Sequence, residues 1–113
     1  MTIDKSRLYF RIIMQSITAI ALLQKITANE DFQLIDVREV EEHVAFNIGG
    51  TSIPLGEITQ HITAIAIDKP VIIYCRKGIR SQIAIQRLQE KFPFTNLINL
   101  IGGTEAWKKQ FTV

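Results

Sequence analysis

Along the chain, short apolar runs alternate with segments whose apolar residues recur every three or four positions. The clearest short run is Val71-Ile72-Ile73-Tyr74. It has no polar alternation, which predicts a strand covered on both faces, as in a parallel sheet layered between helices. Phe32 to Val37, Thr51 to Pro54 and Leu97 to Leu100 read as further strands, the second ended by Pro54. Between them lie the helical periods. Thr18 is placed to cap a helix carrying Ile20, Leu23 and Ile26 on one face. Leu55, Ile58, Ile62 and Ile65 predict a helix from Leu55 to about Ile65. Ser81 to Lys91 reads as a helix that turns Ala84, Ile85, Leu88 and Phe92 to the core and stops at Pro93. A closing helix, Thr104 to Lys109, carries Trp107 and follows a Gly102-Gly103 turn. Strands alternating with helices give an α/β domain with a mainly parallel central sheet. Open sheets of this type bind ligands beyond the carboxyl ends of their strands, and Cys75 falls at such an end.

The 113 residues make one domain, with no internal repeat and no linker. We expect residues 1–11 to form an extension or a leading strand and residues 12–113 to form the domain. Leu8 to Leu23 is apolar but broken by Arg11, Gln15, Ser16 and Thr18. It is shorter and more polar than the about 20 apolar residues of a membrane span, and it lacks the cleavage pattern of a signal peptide. A formal net charge of +2 and scattered aromatic residues argue against a nucleic-acid partner. The single cysteine excludes an internal disulfide and a multi-thiolate zinc site. His43 and His61 fall outside any metal-ligand spacing and read as surface or cap residues, so no metal is expected. A lone thiol suits a reducing compartment, and the cytoplasm is the expected location.

The chemistry concentrates in Cys75-Arg76-Lys77-Gly78-Ile79-Arg80-Ser81, between the buried strand and the helix that follows. A loop entering a helix N-terminus offers unpaired backbone N–H groups, and Gly78 lets them turn inward around an anion. Arg76, Lys77 and Arg80 add three cationic side chains. A free thiol ionises at about 8.5, and a helix terminus with nearby cations lowers that value, making a thiolate nucleophile. The same field attracts an anionic substrate. The plain alternative makes Cys75 a small buried residue ending a core strand, with the cations as a solvated run.

Leu34-Ile35-Asp36-Val37-Arg38-Glu39, Glu41-Glu42-His43 and Ile48-Gly49-Gly50-Thr51-Ser52-Ile53-Pro54-Leu55 resemble the first half of a rhodanese-like domain. Val71 to Ser81 is similar to its active-site strand and loop, and Gly102-Gly103 with Ala106-Trp107 to its closing signature. The match runs from about Ile17 to Trp107. The resemblance implies a three-layer fold with a five-stranded, mainly parallel sheet flanked by helices. It also implies a sulfurtransferase whose Cys75 cycles between thiol and persulfide. The donor would be thiosulfate or another small anionic sulfur compound, and the acceptor cyanide, a thiol or a protein dithiol. The backbone from Arg76 through Gly78, Ile79 and Ser81 would hold the persulfide, without metal or organic cofactor. Arg80, with its two-pronged donor geometry, is the first candidate for the donor's sulfonate, with Arg76 and Lys77 as helpers. Asp36 and Arg38 read as a paired charge supporting the site rather than as catalysts. Trp107 reads as core packing. One departure is Phe46-Asn47-Ile48-Gly49-Gly50-Thr51, where many members carry Gly-His before the Ile and Pro-Gly-Ala after it. Asn47 can still bond to the backbone and keep the turn.

Two rivals stay open. Cysteine phosphatases and arsenate reductases share this kind of loop, but theirs is one residue longer between cysteine and arginine. The four residues Arg76 to Ile79 leave less room for a tetrahedral phosphate. Rhodanese-like domains also serve as non-catalytic binding or regulatory modules, usually after losing the cysteine that this chain retains.

Overall fold

The computed structural model describes residues 14–112. The expected extension or leading strand at residues 1–11 lies outside them. Among the described residues five strands form one sheet: β1 (Ser16–Ile17), β2 (Gln33–Asp36), β3 (Thr51–Ser52), β4 (Val71–Tyr74) and β5 (Leu97–Leu100). Their order is β1-β5-β4-β2-β3, and every neighbouring pair is parallel. The sheet is therefore wholly parallel, and β4 lies at its centre.

Side chains alternate across β4, and both of its faces are covered. Val71, Ile73 and Cys75 face a core that includes Ala84, Ile85, Leu88 and Phe94, while Ile72 and Tyr74 face Leu22 and Leu100. This two-sided burial explains the unbroken apolar run. The first face is covered by α3 (Ile79–Lys91) and by a 3-10 helix (Leu55–Ala64), the second by α1 (Ala19–Thr27) and α4 (Gly103–Phe111). A short helix, α2 (Val40–Ala45), follows β2. Among the described residues, no helix is long and apolar enough to cross a membrane.

Three expectations change. Thr18 does cap α1, its Oγ1 accepting the Ala21 amide at 3.1 Å. The buried face, however, is Ala19 and Leu22, while Ile20 is 49% and Ile26 39% exposed. Only Thr18 separates β1 from α1, and so short a link leaves the helix no freedom to rotate its richer apolar side inward. Residues 55–64 wind as a 3-10 helix with a kink at His61. Apolar steps of three, four and three residues suit that tighter winding as well as an α-helix. Phe92 is 43% exposed, and Phe94 takes the buried place beside it. The residue before a proline is driven extended, and Phe92, at φ −153° and ψ 142°, is swung away from the helical face.

Candidate active site

β4 delivers Cys75 to the carboxyl end of the central strand, where it is 1% exposed. Gly78 then adopts φ +90°, a conformation that glycine enters without strain, and caps α3 at Ile79, two residues earlier than the pattern of apolar residues predicted. This turn folds the chain back over the sulfur. Cys75 Sγ accepts the Gly78 amide at 3.1 Å and the Ser81 amide at 3.4 Å, and lies 3.4 Å from Ser81 Oγ. Burial pushes the Cys75 thiol up. The Ser81 hydroxyl and the amides of Ser81, Gly78 and Lys77 outweigh it and hold the thiol below its ordinary value.

The far side of the loop rests on α4. Thr104 and Glu105 donate their amides to the Cys75 and Arg76 carbonyls at 2.9 and 3.0 Å. Gly103, at φ +55°, is what permits this approach. A β-carbon there would stand 2.1 Å from the Cys75 carbonyl oxygen. The closing glycine pair thus belongs to the architecture of the cysteine loop.

A cavity of about 250 Å³ opens at the loop, lined by Cys75, Arg76, Lys77, Ile79 and Arg80. The predicted loop residues therefore do converge, but their charges differ from expectation. Arg80 directs Nη1 and Nη2 onto the Glu42 carboxylate at 2.7 and 3.0 Å. Arg76 Nε lies 3.0 Å from Glu105 Oε1. Lys77 has no carboxylate partner among the described residues. Hydrogen bonds at the loop, more than the three cations, favour the thiolate. The Arg80 hydrogen bond takes the Glu42 carboxyl down to about 2.

Asp36 and Arg38 stand behind this wall. Asp36 is fully buried at the end of β2. Its carboxylate accepts the Arg38 backbone amide and the guanidinium Nε and Nη2, and lies 2.9 Å from His43 Nδ1. Burial pushes the Asp36 carboxyl up, and the bonds from Arg38 and His43 more than offset it. Arg38 also donates to the Phe46 carbonyl, tying β2 to the end of α2. The expectation of His43 as a surface or cap residue is corrected. A capping box between Glu39 and Glu42 fixes the pitch of α2, so Glu42 and His43 point inward while Val40 and Val44 stay exposed. His61 is exposed, its Nδ1 3.0 Å from the Glu57 carbonyl oxygen. Asn47 keeps its turn as expected, donating to the His43 carbonyl and accepting the Gly49 amide. Trp107 packs against the core face that contains Tyr74 and Leu100.

Asn99 went unrecognised in the sequence. It is 4% exposed on β5, and its Oδ1 accepts the Ser81 hydroxyl. The available signal was a single amide inside the apolar run Leu97-Ile98-Asn99-Leu100. Among the described residues, no cluster of three or more His, Cys, Asp and Glu side chains could hold a metal ion.

Comparison with known proteins gives this geometry a context. The family model for the rhodanese-like domain matches residues 19–110. The putative sulfurtransferase YtwF of Bacillus subtilis is 35% identical over 96 residues, covering 84% of this chain and 91% of that protein. The thiosulfate sulfurtransferase GlpE of Coxiella burnetii is 32% identical over 88 residues, covering 74% and 78%. A rhodanese-like domain protein from Staphylococcus aureus superposes with a TM-score of 0.75 at 27% identity, covering 83% of this chain and 91% of its own. Two further Bacillus subtilis relatives are longer, and the chain spans 47% and 60% of their lengths.

Proposed function

Because the chain belongs to the rhodanese-like domain family, we propose that it is a sulfurtransferase carrying a sulfane sulfur on Cys75 as a persulfide. One observation carries this reading. Cys75 lines an open cavity, and its Sγ accepts the Gly78 and Ser81 amides at 3.1 and 3.4 Å. A cysteine that merely filled core space would not gather hydrogen-bond donors around its sulfur. The name of GlpE as a thiosulfate sulfurtransferase supports thiosulfate as a donor.

In the first half-reaction the Cys75 thiolate attacks the sulfane sulfur of thiosulfate or of a persulfide donor. The donor's S–S bond breaks, and its electron pair leaves on sulfite or on the donor thiol. A new S–S bond joins Cys75 to the transferred sulfur. In the second, a thiophilic acceptor such as cyanide, a thiol or a protein dithiol attacks the outer sulfur, and the thiolate returns. Splitting one difficult transfer into two is covalent catalysis. Cysteine is itself the carrier, so the cycle requires no metal or organic cofactor. The loop amides stay in place for the anionic sulfur, and the cavity of about 250 Å³ leaves space for the outer atom.

Glu42 offsets the charge of Arg80, and Glu105 that of Arg76. We therefore assign the donor's sulfonate first to Lys77, with Arg80 fixing the cavity wall and Arg76 its rim. Ile79, 62% exposed at the mouth, adds an apolar surface for a polarisable sulfur compound. A thiolate kept free for this cycle suits a cytoplasmic setting. With thiosulfate and cyanide, the wild-type protein is expected to release thiocyanate and the Cys75→Ser variant none. If the wild type stays inactive with both thiosulfate and a persulfide donor, the reading fails and a binding module takes its place.

A further inference from the structure

Ser81 Oγ is placed between two partners. It lies 3.4 Å from Cys75 Sγ, and it donates to Asn99 Oδ1. A serine hydroxyl has a single proton, which cannot serve both. With the proton on Asn99, the hydroxyl turns a lone pair toward the sulfur. That orientation accepts a thiol S–H and opposes a thiolate. Ser81 and Asn99 are 0% and 4% exposed, so the choice is made in a low-dielectric setting, where each such bond counts for more. The strand fixes the Asn99 backbone, whose N–H donates to the Gln15 carbonyl at 2.9 Å and whose Cα is paired in register with Ser16 and Ile73.

We propose that Asn99 is a positioning residue that sets the direction of the Ser81 hydroxyl and, through it, the ionisation of Cys75. The proposal rests on Cys75 being the nucleophile. While Asn99 holds the proton, the Ser81 hydroxyl withholds the hydrogen bond by which it would lower the thiol, and the loop amides alone stabilise the thiolate. When the thiol proton leaves to solvent, the hydroxyl must give up Asn99 to reach Sγ. The cost of that turn keeps the thiol from ionising as readily as the loop alone would allow. A thiol too acidic is a weaker nucleophile, so the restraint is useful.

Other charges around the cysteine loop come from several neighbouring elements. The loop carries Arg76 and Lys77, α3 Arg80, α2 Glu42 and His43, β2 Asp36 with Arg38, and α4 Glu105. None of them hydrogen-bonds to Asn99.

The test is the rate of Cys75 alkylation by iodoacetamide against pH, which needs no sulfur donor. Asn99→Ala frees the hydroxyl and is expected to lower the inflection, raising the rate near pH 6 about threefold to tenfold. Ser81→Ala is expected to raise the inflection, and Asn99→Ala added to Ser81→Ala to shift it no further. Should Asn99→Ala fail to fold, Asn99→Asp decides. It retains the acceptor oxygen and must raise the inflection, by more than it does in the Ser81→Ala background. An unchanged or raised inflection in Asn99→Ala overturns the proposal, as does a shift that survives without Ser81. Sulfur transfer without these shifts defeats the role of Asn99 alone. The shifts without sulfur transfer defeat the sulfurtransferase reading alone.

Discussion

Gly103 lacks a β-carbon for a reason that lies in the loop opposite. Its φ of +55° disfavours any L side chain, and a methyl group would enter the Cys75 carbonyl at 2.1 Å and the Arg76 carbonyl at 2.7 Å. Gly103→Ala is expected to cost about 1–3 kcal/mol in urea denaturation and to reduce persulfide loading even where the protein is still folded. Gly56 serves as the control, with nothing within 4 Å of its built β-carbon, so Gly56→Ala should leave both measurements nearly unchanged. Equal effects at the two glycines would contradict the packing of loop on helix. The sequence pattern pointed directly to Cys75, Gly78 and the Gly102-Gly103 pair, because a thiol, a loop and a turn each leave a compositional mark. Asn99 left none that stood out, and His43 stood in the Glu41-Glu42-His43 motif with no sign of its partner. Their roles depend on partners 18 and 7 residues away, Ser81 and Asp36, which only the folded sheet brings within reach.

At the scale of elements, α2 is too short to be stable by its own hydrogen bonds, and it buries no residue. It is held by contacts to its neighbours, chiefly Glu42 on Arg80 and His43 on Asp36. The Arg80 bond lowers the Glu42 carboxyl from 4.5 to about 2. The folded value lies below the unfolded one, so this contact stabilises the fold fully above about pH 4.5. Its contribution is lost as pH falls toward about 2. Glu42→Gln should therefore be less stable than wild type by about 1 kcal/mol at neutral pH, and the gap should close across that window. A gap of constant size at all pH values would show that the charge is not what anchors α2. The β4 strand was legible because burial on both faces leaves an unbroken apolar run. β1 was not, since two residues at a sheet edge are defined by backbone pairing with Asn99 and Leu100 rather than by any side-chain pattern. The winding of residues 55–64 escaped for a related reason, since the same apolar spacing fits a 3-10 or an α-helix.

For the molecule as a whole, the strand order β1-β5-β4-β2-β3 places the one cysteine at the end of the central strand. The central strand ends between two helix-covered faces, with α2 on one side supplying Glu42 and α4 on the other supplying the amides that hold the loop. Parallel pairing throughout directs every strand's carboxyl end to the same edge, where Cys75 sits. The proposed cycle requires this sulfur to accept and return a second sulfur atom. Its most direct test is the intact mass of the reduced protein after incubation with thiosulfate or a persulfide donor, beside Cys75→Ser. A gain of one sulfur atom in the wild type alone, removed by cyanide, is the predicted result. An unchanged mass with both donors, or an equal gain in the serine variant, would contradict it.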